Sequence, residues 1–237
     1  MATRLDERAE PHALFDIGTN GEVVVGSARG ILCASTAAGP AFEGGRIGMG
    51  MRARAGAIDT VHVRDGALDC HVIGGGVARG ICGSGLVDAA ACGIELGLIG
   101  ANGRLTGVDK RLALAGGVAL TQTDIRELQL AKGAMAAGLR MLAGGGVAKL
   151  YLAGAFGNYI RQTSARAIGL LPDDLAVESV GNSSLRGART LLLTPATRQA
   201  RLRKILALSQ HVELAADPDF QYRYAGMMAL GRFSLKS

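Results

Sequence analysis

Two short apolar runs, Ala13–Ile17 and Val23–Val25, open the ordered part of the chain and flank Gly18-Thr19-Asn20-Gly21. Asn20-Gly21 between two such runs predicts a tight two-residue hairpin, because both residues tolerate positive φ. A third strand starts at Ile31 and passes through Ser35 and Thr36 into small residues around Pro40 and Phe42, a snug connector ending at Gly44-Gly45. Ala57–Val63 and Leu68–Ile73 alternate around Arg64-Asp65-Gly66 and predict a second hairpin.

The period then lengthens. Gly80-Ile-Cys-Gly-Ser-Gly85 leads into apolar Leu86–Ile99, read as a helix with Ser84 at its N-cap and Asp88 near its positive end. Ile125, Leu128, Ala131, Met135, Leu139 and Leu142 recur at three or four residues and predict the longest helix. Thr121 or Thr123 caps it, Asp124 follows, and Gly144-Gly145-Gly146 ends it. Lys132 falls at the margin of the buried stripe, where it is expected to snorkel or to reach into a ligand cleft.

Val147–Ala153 reads as a compact buried strand running into Gly154-Ala155-Phe156-Gly157-Asn158. After it the pattern predicts a helix over Ser164–Leu170, a strand over Val177–Val180 and a helix over Leu185–Leu193, which Gly187 and Ala188 let sit close to the sheet. A helix over Ala196–Ser209, a short strand over His211–Leu214 and a helix led by Asp217-Pro218 close the chain. This order is α/β: a mixed sheet with an antiparallel hairpin edge, parallel strand–helix units after it, and flanking helices. Residues 1–12 form a short polar lead-in, and residues 13–237 one unit with a β-hairpin insertion around 57–76.

Composition narrows the function. The chain is 49% hydrophobic with 36 glycines scattered among apolar runs, which points to tight turns and close backbone approaches rather than a linker. Aromatics are 4% and Trp is absent, so nucleic-acid binding by stacking is unsupported. The net charge is +6, and Arg198, Arg201, Arg203 and Lys204 spread around one helix as a solvated face. The four cysteines, Cys33, Cys70, Cys82 and Cys92, form no Cys-x-x-Cys pair and no cluster framework, so reduced thiols in a cytoplasmic protein are expected. No apolar run reaches the length of a membrane span.

Two places carry candidate chemistry. Asp16 closes the first run beside a turn rich in free N–H groups, which suits a phosphate and its Mg²⁺; a plain hairpin with a turn-capping Asp fits equally. Gly154 and Gly157 follow a buried strand, where α/β folds take ligands, and would let a flat ring or ribose lie on backbone; an ordinary strand–helix turn is the alternative. Ser84 is not a hydrolase nucleophile, since the elbow needs glycine where Cys82 and Leu86 stand. Gly74-Gly75-Gly76 lacks the spacing of a dinucleotide fingerprint.

Seven motifs in order carry a resemblance. They are Asp16-Ile-Gly-Thr-Asn-Gly-Glu22, Cys33-Ala-Ser-Thr-Ala-Ala-Gly-Pro-Ala-Phe-Glu-Gly44, Gly56-Ala-Ile-Asp59, Gly80-Ile-Cys-Gly-Ser-Gly85, Leu152-Ala-Gly-Ala-Phe-Gly157, Ile168-Gly-Leu-Leu-Pro172 and Gly181-Asn-Ser-Ser-Leu-Arg-Gly-Ala188. Together they resemble the C-terminal part of the reductive activators of corrinoid proteins, within the acetate/sugar kinase, heat-shock chaperone and actin (ASKHA) superfamily. The resemblance implies a ribonuclease H-like lobe that binds ATP and Mg²⁺, with slow ATP hydrolysis serving the reduction of a Co(II) corrinoid protein for methyl transfer. It implies Asp16 as the catalytic and Mg²⁺-managing carboxylate. Gly18, Thr19, Asn20 and Gly21 are implied on the phosphates, and Lys132, Gly154, Ala155, Phe156 and Gly157 around the nucleoside. Ser35 and Thr36 are the expected contacts to the corrinoid protein. The chain is expected to be partial, without the iron–sulfur domain and the first lobe, so a separate first-lobe or iron–sulfur protein, or a second copy of the chain, is an expected partner. No iron–sulfur cluster, nucleic acid or membrane is expected. A small-molecule kinase or phosphatase of the same superfamily, or a non-catalytic assembly module, is the alternative.

Overall fold

The computed structural model describes residues 1–144 and 146–236. Gly145, expected in the glycine run after the long helix, and the side chain of Ala155, expected at the nucleoside, lie outside the described residues. Strands β1 (His12–Ile17), β2 (Gly21–Ser27) and β3 (Gly30–Thr36) form an antiparallel meander. Alternation along β1 buries Ala13, Phe15 and Ile17 on one face and sends Leu14 and Asp16 to the other.

The turn between β1 and β2 departs from expectation. Neither Asn20 nor Gly21 has positive φ. Gly21 already pairs with Ile17, and residues 18–20 make the turn, with the Gly18 amide donating to the Asn20 carbonyl at 3.0 Å. Gly21 is needed for closeness instead: a Cβ there would stand 2.7 Å from Thr36 Oγ1 and 2.9 Å from Met135 Cγ. The second hairpin, β4 (Ala57–Arg64) and β5 (Ala67–Val72), does turn on positive φ, at Asp65 and Gly66.

The unit inserted after β3 is larger than one hairpin. It carries β4, β5, the short β6 (Gly80–Ile81), helix α1 (Gly83–Glu95), and a small hairpin of β7 (Arg111–Ala113) and β8 (Ala119–Thr121). Strands of three residues leave too short a pattern to read from sequence, which is why β7 and β8 were not expected. Helix α2 (Gln122–Ala143) follows with the expected capping box between Thr121 and Asp124. All six apolar residues of its predicted stripe are buried.

Strand β9 (Leu150–Ala153) then lies parallel to β1, and helices α3 (Gly154–Tyr159) and α4 (Gln162–Ala167) lead to β10 (Val177–Gly181), parallel to β9. Helices α5 (Ser183–Leu193) and α6 (Arg198–Leu208), strand β11 (Ser209–His211) and helix α7 (Pro218–Met227) complete the chain. The main sheet has the order β10-β9-β1-β2-β3-β11, so the meander fills one half and β11 adds a parallel strand outside β3.

The two faces of this sheet differ. Helix α2 packs on the inner face, where Phe15, Val23, Leu128, Met135 and Leu139 join one continuous core. The outer face carries α5 and α6, yet α5 buries only Ser183 and α6 buries nothing. Gly187 and Ala188 do not seat α5 on the sheet: together with Leu14, Val24, Ile31, Cys33, Leu191 and Ile205 they line a cavity of about 480 Å³. Nor is the basic face of α6 wholly solvated, since Arg201 pairs with Glu7 at 3.1 Å and Lys204 with buried Asp6 at 3.2 Å.

A Cβ at Gly187 would meet nothing within 4 Å, and the residue lies mid-helix. Gly187→Ala is therefore expected to stabilise the protein by about 0.5–1 kcal/mol through lower backbone entropy of the unfolded chain. A rise in the urea midpoint with unchanged slope checks it; an unchanged or lower midpoint counts against an open environment at this position.

Candidate functional site

Asp16 stands at the end of β1, the strand between β2 and β9. Its register partners are Glu22 on β2 and Ala153 on β9, and Glu22 in turn pairs with Ser35 on β3. Asp16, Glu22 and Ser35 thus form a polar row across the end of the outer face, above the row of Leu14, Val24 and Cys33. Partial burial raises the Glu22 pKa, and the charge of Asp16 raises it further.

The chain turns sharply as it leaves β9. Gly154 has φ +91°, and a Cβ there would stand 2.6 Å from the Ile17 carbonyl oxygen and 2.7 Å from Asp16 Oδ1. Only glycine fits, on conformation and on space. The hydroxyl of Ser183, the first residue of α5, approaches Asp16 Oδ2 from the other side at 3.3 Å. Asp16 is half-buried between these two elements and the β1–β2 turn.

The turn residues Thr19 and Asn20 are exposed. The Thr19 hydroxyl donates to Glu43, in the short 3-10 turn Ala41–Glu43. Phe42 of that turn stacks on Phe156 of α3 with centroids 4.9 Å apart. The hard oxygens of the Asp16 carboxylate and the Thr19 hydroxyl, beside the β1–β2 turn, suit Mg²⁺, which takes one or two protein carboxylates and fills its other positions with phosphate and water. Among the described residues no group of three or more His, Cys, Asp or Glu is placed to hold a metal by itself.

Other expected residues lie elsewhere. Thr36 is 2% exposed and donates to the Gly21 carbonyl at 3.1 Å, so it braces the turn from behind and cannot touch a partner; Ser35 is the exposed one of the pair. Lys132 neither snorkels nor joins Asp16. It lies on α2, which covers the inner face, is 1% exposed, and donates to the Ala229 carbonyl of the C-terminal segment. Its neighbour one turn earlier, Gln129, donates to the Met228 carbonyl at 2.9 Å, so α2 grips the segment after α7 twice. Burial lowers the Lys132 pKa to about 8.

Ser84 is not the cap of α1 either. Cys82 holds that position, and the Ser84 hydroxyl donates to the Asp59 carbonyl at 2.9 Å. The glycines around it serve close packing: a Cβ at Gly83 would lie 2.0 Å from the Phe42 oxygen, and one at Gly85 2.3 Å from the Ile58 oxygen. Asp88 belongs to a different contact, an ion pair with Arg161 at 2.7 Å that ties α1 to the start of α4. Glu22 was not singled out by sequence, though pairing Ile17 with Gly21 would have placed it beside Asp16.

The family described as the C-terminal domain of RACo, the ASKHA domain, matches residues 10–236. The chain belongs to this family. The corrinoid activation enzyme RamQ of Eubacterium limosum is 37% identical over 89% of the chain and 41% of its own length. The [Co(II) methylated amine-specific corrinoid protein] reductase of Methanosarcina barkeri is 30% identical over 91% of the chain and 45% of its own length. A solved structure of a reductive activator for corrinoid, iron–sulfur protein matches with a TM-score of 0.83 and 32% identity, covering 96% of this chain and 41% of that one. The RACo-type ASKHA domain described here thus spans less than half the length of these relatives. No described helix is long and apolar enough to cross a membrane.

Burial of Lys132 makes stability depend on pH. A lysine whose folded pKa lies near 8 holds fewer protons in the folded than in the unfolded state from there up to its ordinary value near 10.5. Its contribution to stability therefore rises with pH across that window. Lys132→Met removes this dependence, so wild type is expected to gain stability relative to the variant as pH rises from about 8. Parallel urea melts at several pH values check the sign; a constant difference would show that the lysine is not titrating in the buried state.

Proposed function

We propose that this domain is the ATP-binding component of ATP-dependent reductive activation of Co(II) corrinoid proteins, with the electron supplied by an iron–sulfur group on another domain or protein. One observation carries the reading: a half-buried carboxylate, Asp16, faces a glycine turn and a helix start, beside an exposed strand turn. The named relatives supply the corrinoid context.

In this reading Asp16 holds Mg²⁺ or a water bound to it. The backbone of Gly18, Thr19, Asn20 and Gly21 holds phosphate oxygens, and Gly154 to Gly157 pack against the nucleoside. Mg²⁺–ATP, when bound, supplies charge neutralisation and a slow hydrolysis step that drives a conformational change. The Thr19 hydroxyl now donates to Glu43 and would have to leave that carboxylate to donate to a phosphate oxygen. Catalysis rests on positioning and electrostatics rather than on a covalent nucleophile. Ser35 belongs to the surface offered to the corrinoid protein.

A second reading is an assembly module that docks a separate first-lobe protein through α5 and α6. It draws on Leu185, Leu192, Leu193 and Leu206, which are exposed on those helices.

The test is calorimetric binding of ADP and ATP, with and without Mg²⁺, to wild type and Asp16→Ala. Wild type is expected to bind with micromolar affinity in Mg²⁺. The variant should lose about tenfold or more, in line with removal of a charged partner. Failure of wild type to bind either nucleotide would sink the ATP reading and favour the assembly module. Capture of a Co(II) corrinoid protein no better than an unrelated acidic protein would sink the corrinoid assignment separately.

A further inference from the structure

We propose that Ser183 is a positioning residue for the Asp16 carboxylate and that, through it, occupancy at Asp16 is coupled to helix α5. This rests on the reading of Asp16 as the Mg²⁺–nucleotide carboxylate. Four observations support it. The Ser183 hydroxyl lies 3.3 Å from Asp16 Oδ2, between residues 167 apart in sequence. The other carboxylate oxygen, Oδ1, lies over Gly154, where a Cβ would come within 2.7 Å. The missing side chain of Gly154 leaves room for Oδ1, and the Ser183 hydroxyl supplies a directional contact to Oδ2.

Third, Ser183 is the one buried residue of α5, at 9% exposure, and sits at the first helical position. The start of the helix is fixed by the Asn182 side chain, which accepts from the Leu185 amide at 2.8 Å, and by Arg186, which donates to the Val180 carbonyl at 3.1 Å. Fourth, the rest of α5 stands over the cavity that Gly187, Ala188 and Leu191 line, with Leu185, Leu192 and Leu193 exposed. The helix is thus rooted at Asp16 and loosely supported beyond. A helix with few buried apolar contacts opens at low free energy, so its hydrogen exchange is sensitive to the strength of its one anchored end. A hydroxyl donor suits this role, because it stabilises an ionised carboxylate without competing for the metal as a second anion would.

The experiment compares wild type, Ser183→Ala and Ser183→Thr. Magnesium-dependent and magnesium-independent ADP affinities are measured by calorimetry, and amide hydrogen exchange in α5 is followed with and without Mg²⁺–ADP. Ser183→Ala is expected to lose about five- to tenfold in affinity in the presence of Mg²⁺ and to bind ADP as wild type does without it. Ser183→Thr keeps the hydroxyl and restores the Mg²⁺-dependent gain. Mg²⁺–ADP slows exchange in α5 of wild type and of the threonine variant, and leaves the alanine variant unchanged. Equal losses with and without Mg²⁺, no loss at all, or the same slowing in all three proteins would overturn the proposal while leaving nucleotide binding intact. Wild type that binds no nucleotide would overturn the parent reading and this one with it. A urea melt of each variant separates these outcomes from unfolding.

Discussion

The approach of Gly154 to Asp16 is the contact on which the rest of the site depends. Strands β1 and β9 run side by side, so Asp16 pairs with Ala153 and the next residue must leave the sheet. Gly154 does so at φ +91°, with its Cα so close that a methyl would strike both the Ile17 carbonyl and the Asp16 carboxylate. An L side chain is excluded by left-handed strain and by collision. A carboxylate can therefore lie directly against the turn that opens α3, and the paired strand fixes where its backbone stands. Gly21 plays a similar part on the inner face, where it lets Thr36 and Met135 close in behind the β1–β2 turn.

What was legible in the sequence follows from how local each feature is. Alternation in β1 placed Asp16 at the end of a half-buried strand, and helical spacing fixed the buried stripe of α2, because both patterns are set by neighbours in the chain. Asn20-Gly21 misled for the opposite reason. Its glycine answers to Met135, far along the chain, and not to the turn. Lys132 failed in the same way: whether a lysine at the margin of a stripe snorkels depends on what covers it, and here the cover comes from Ala229. The Gly80–Gly85 motif put Ser84 at the cap of α1, yet Cys82 takes that position and the Phe42 carbonyl lies over Gly83. Contacts between distant segments decide which polar groups meet solvent, and spacing along the chain does not carry that information.

The segment after β3 shows how such contacts gather. Within a few residues, Glu43 accepts from Thr19, Phe42 stacks on Phe156, the Phe42 carbonyl covers Gly83, and the Gly48 amide donates to Asp124 at 2.6 Å. One short connector therefore touches the β1–β2 turn, the start of α3, the start of α1 and the capped end of α2. Small residues make this density attainable, since little side-chain volume separates the backbones. Tightly packed joints of this kind move between discrete arrangements rather than deform smoothly. Thr19 is thereby linked through Glu43 to the connector that leads into the inserted unit.

The contrast between the two faces of the sheet gives this coupling a direction. The inner face is filled by α2 and continuous with the core, so a displacement there disturbs many buried apolar contacts at once. The outer face is covered by helices that leave a cavity beneath them, and its small apolar cluster is built from Leu5, Tyr151, Ala153 and Val180. Free energy of local opening falls where few apolar contacts are broken, so α5 and α6 belong to the less stable side of the molecule. Asp16 sits on the boundary: its backbone is held in a strand paired on both sides, and its side chain points to the loosely covered face. A ligand of the kind proposed for Asp16 would meet a rigid support on the strand side and a yielding cover on the helix side, so the helix would respond before the strand.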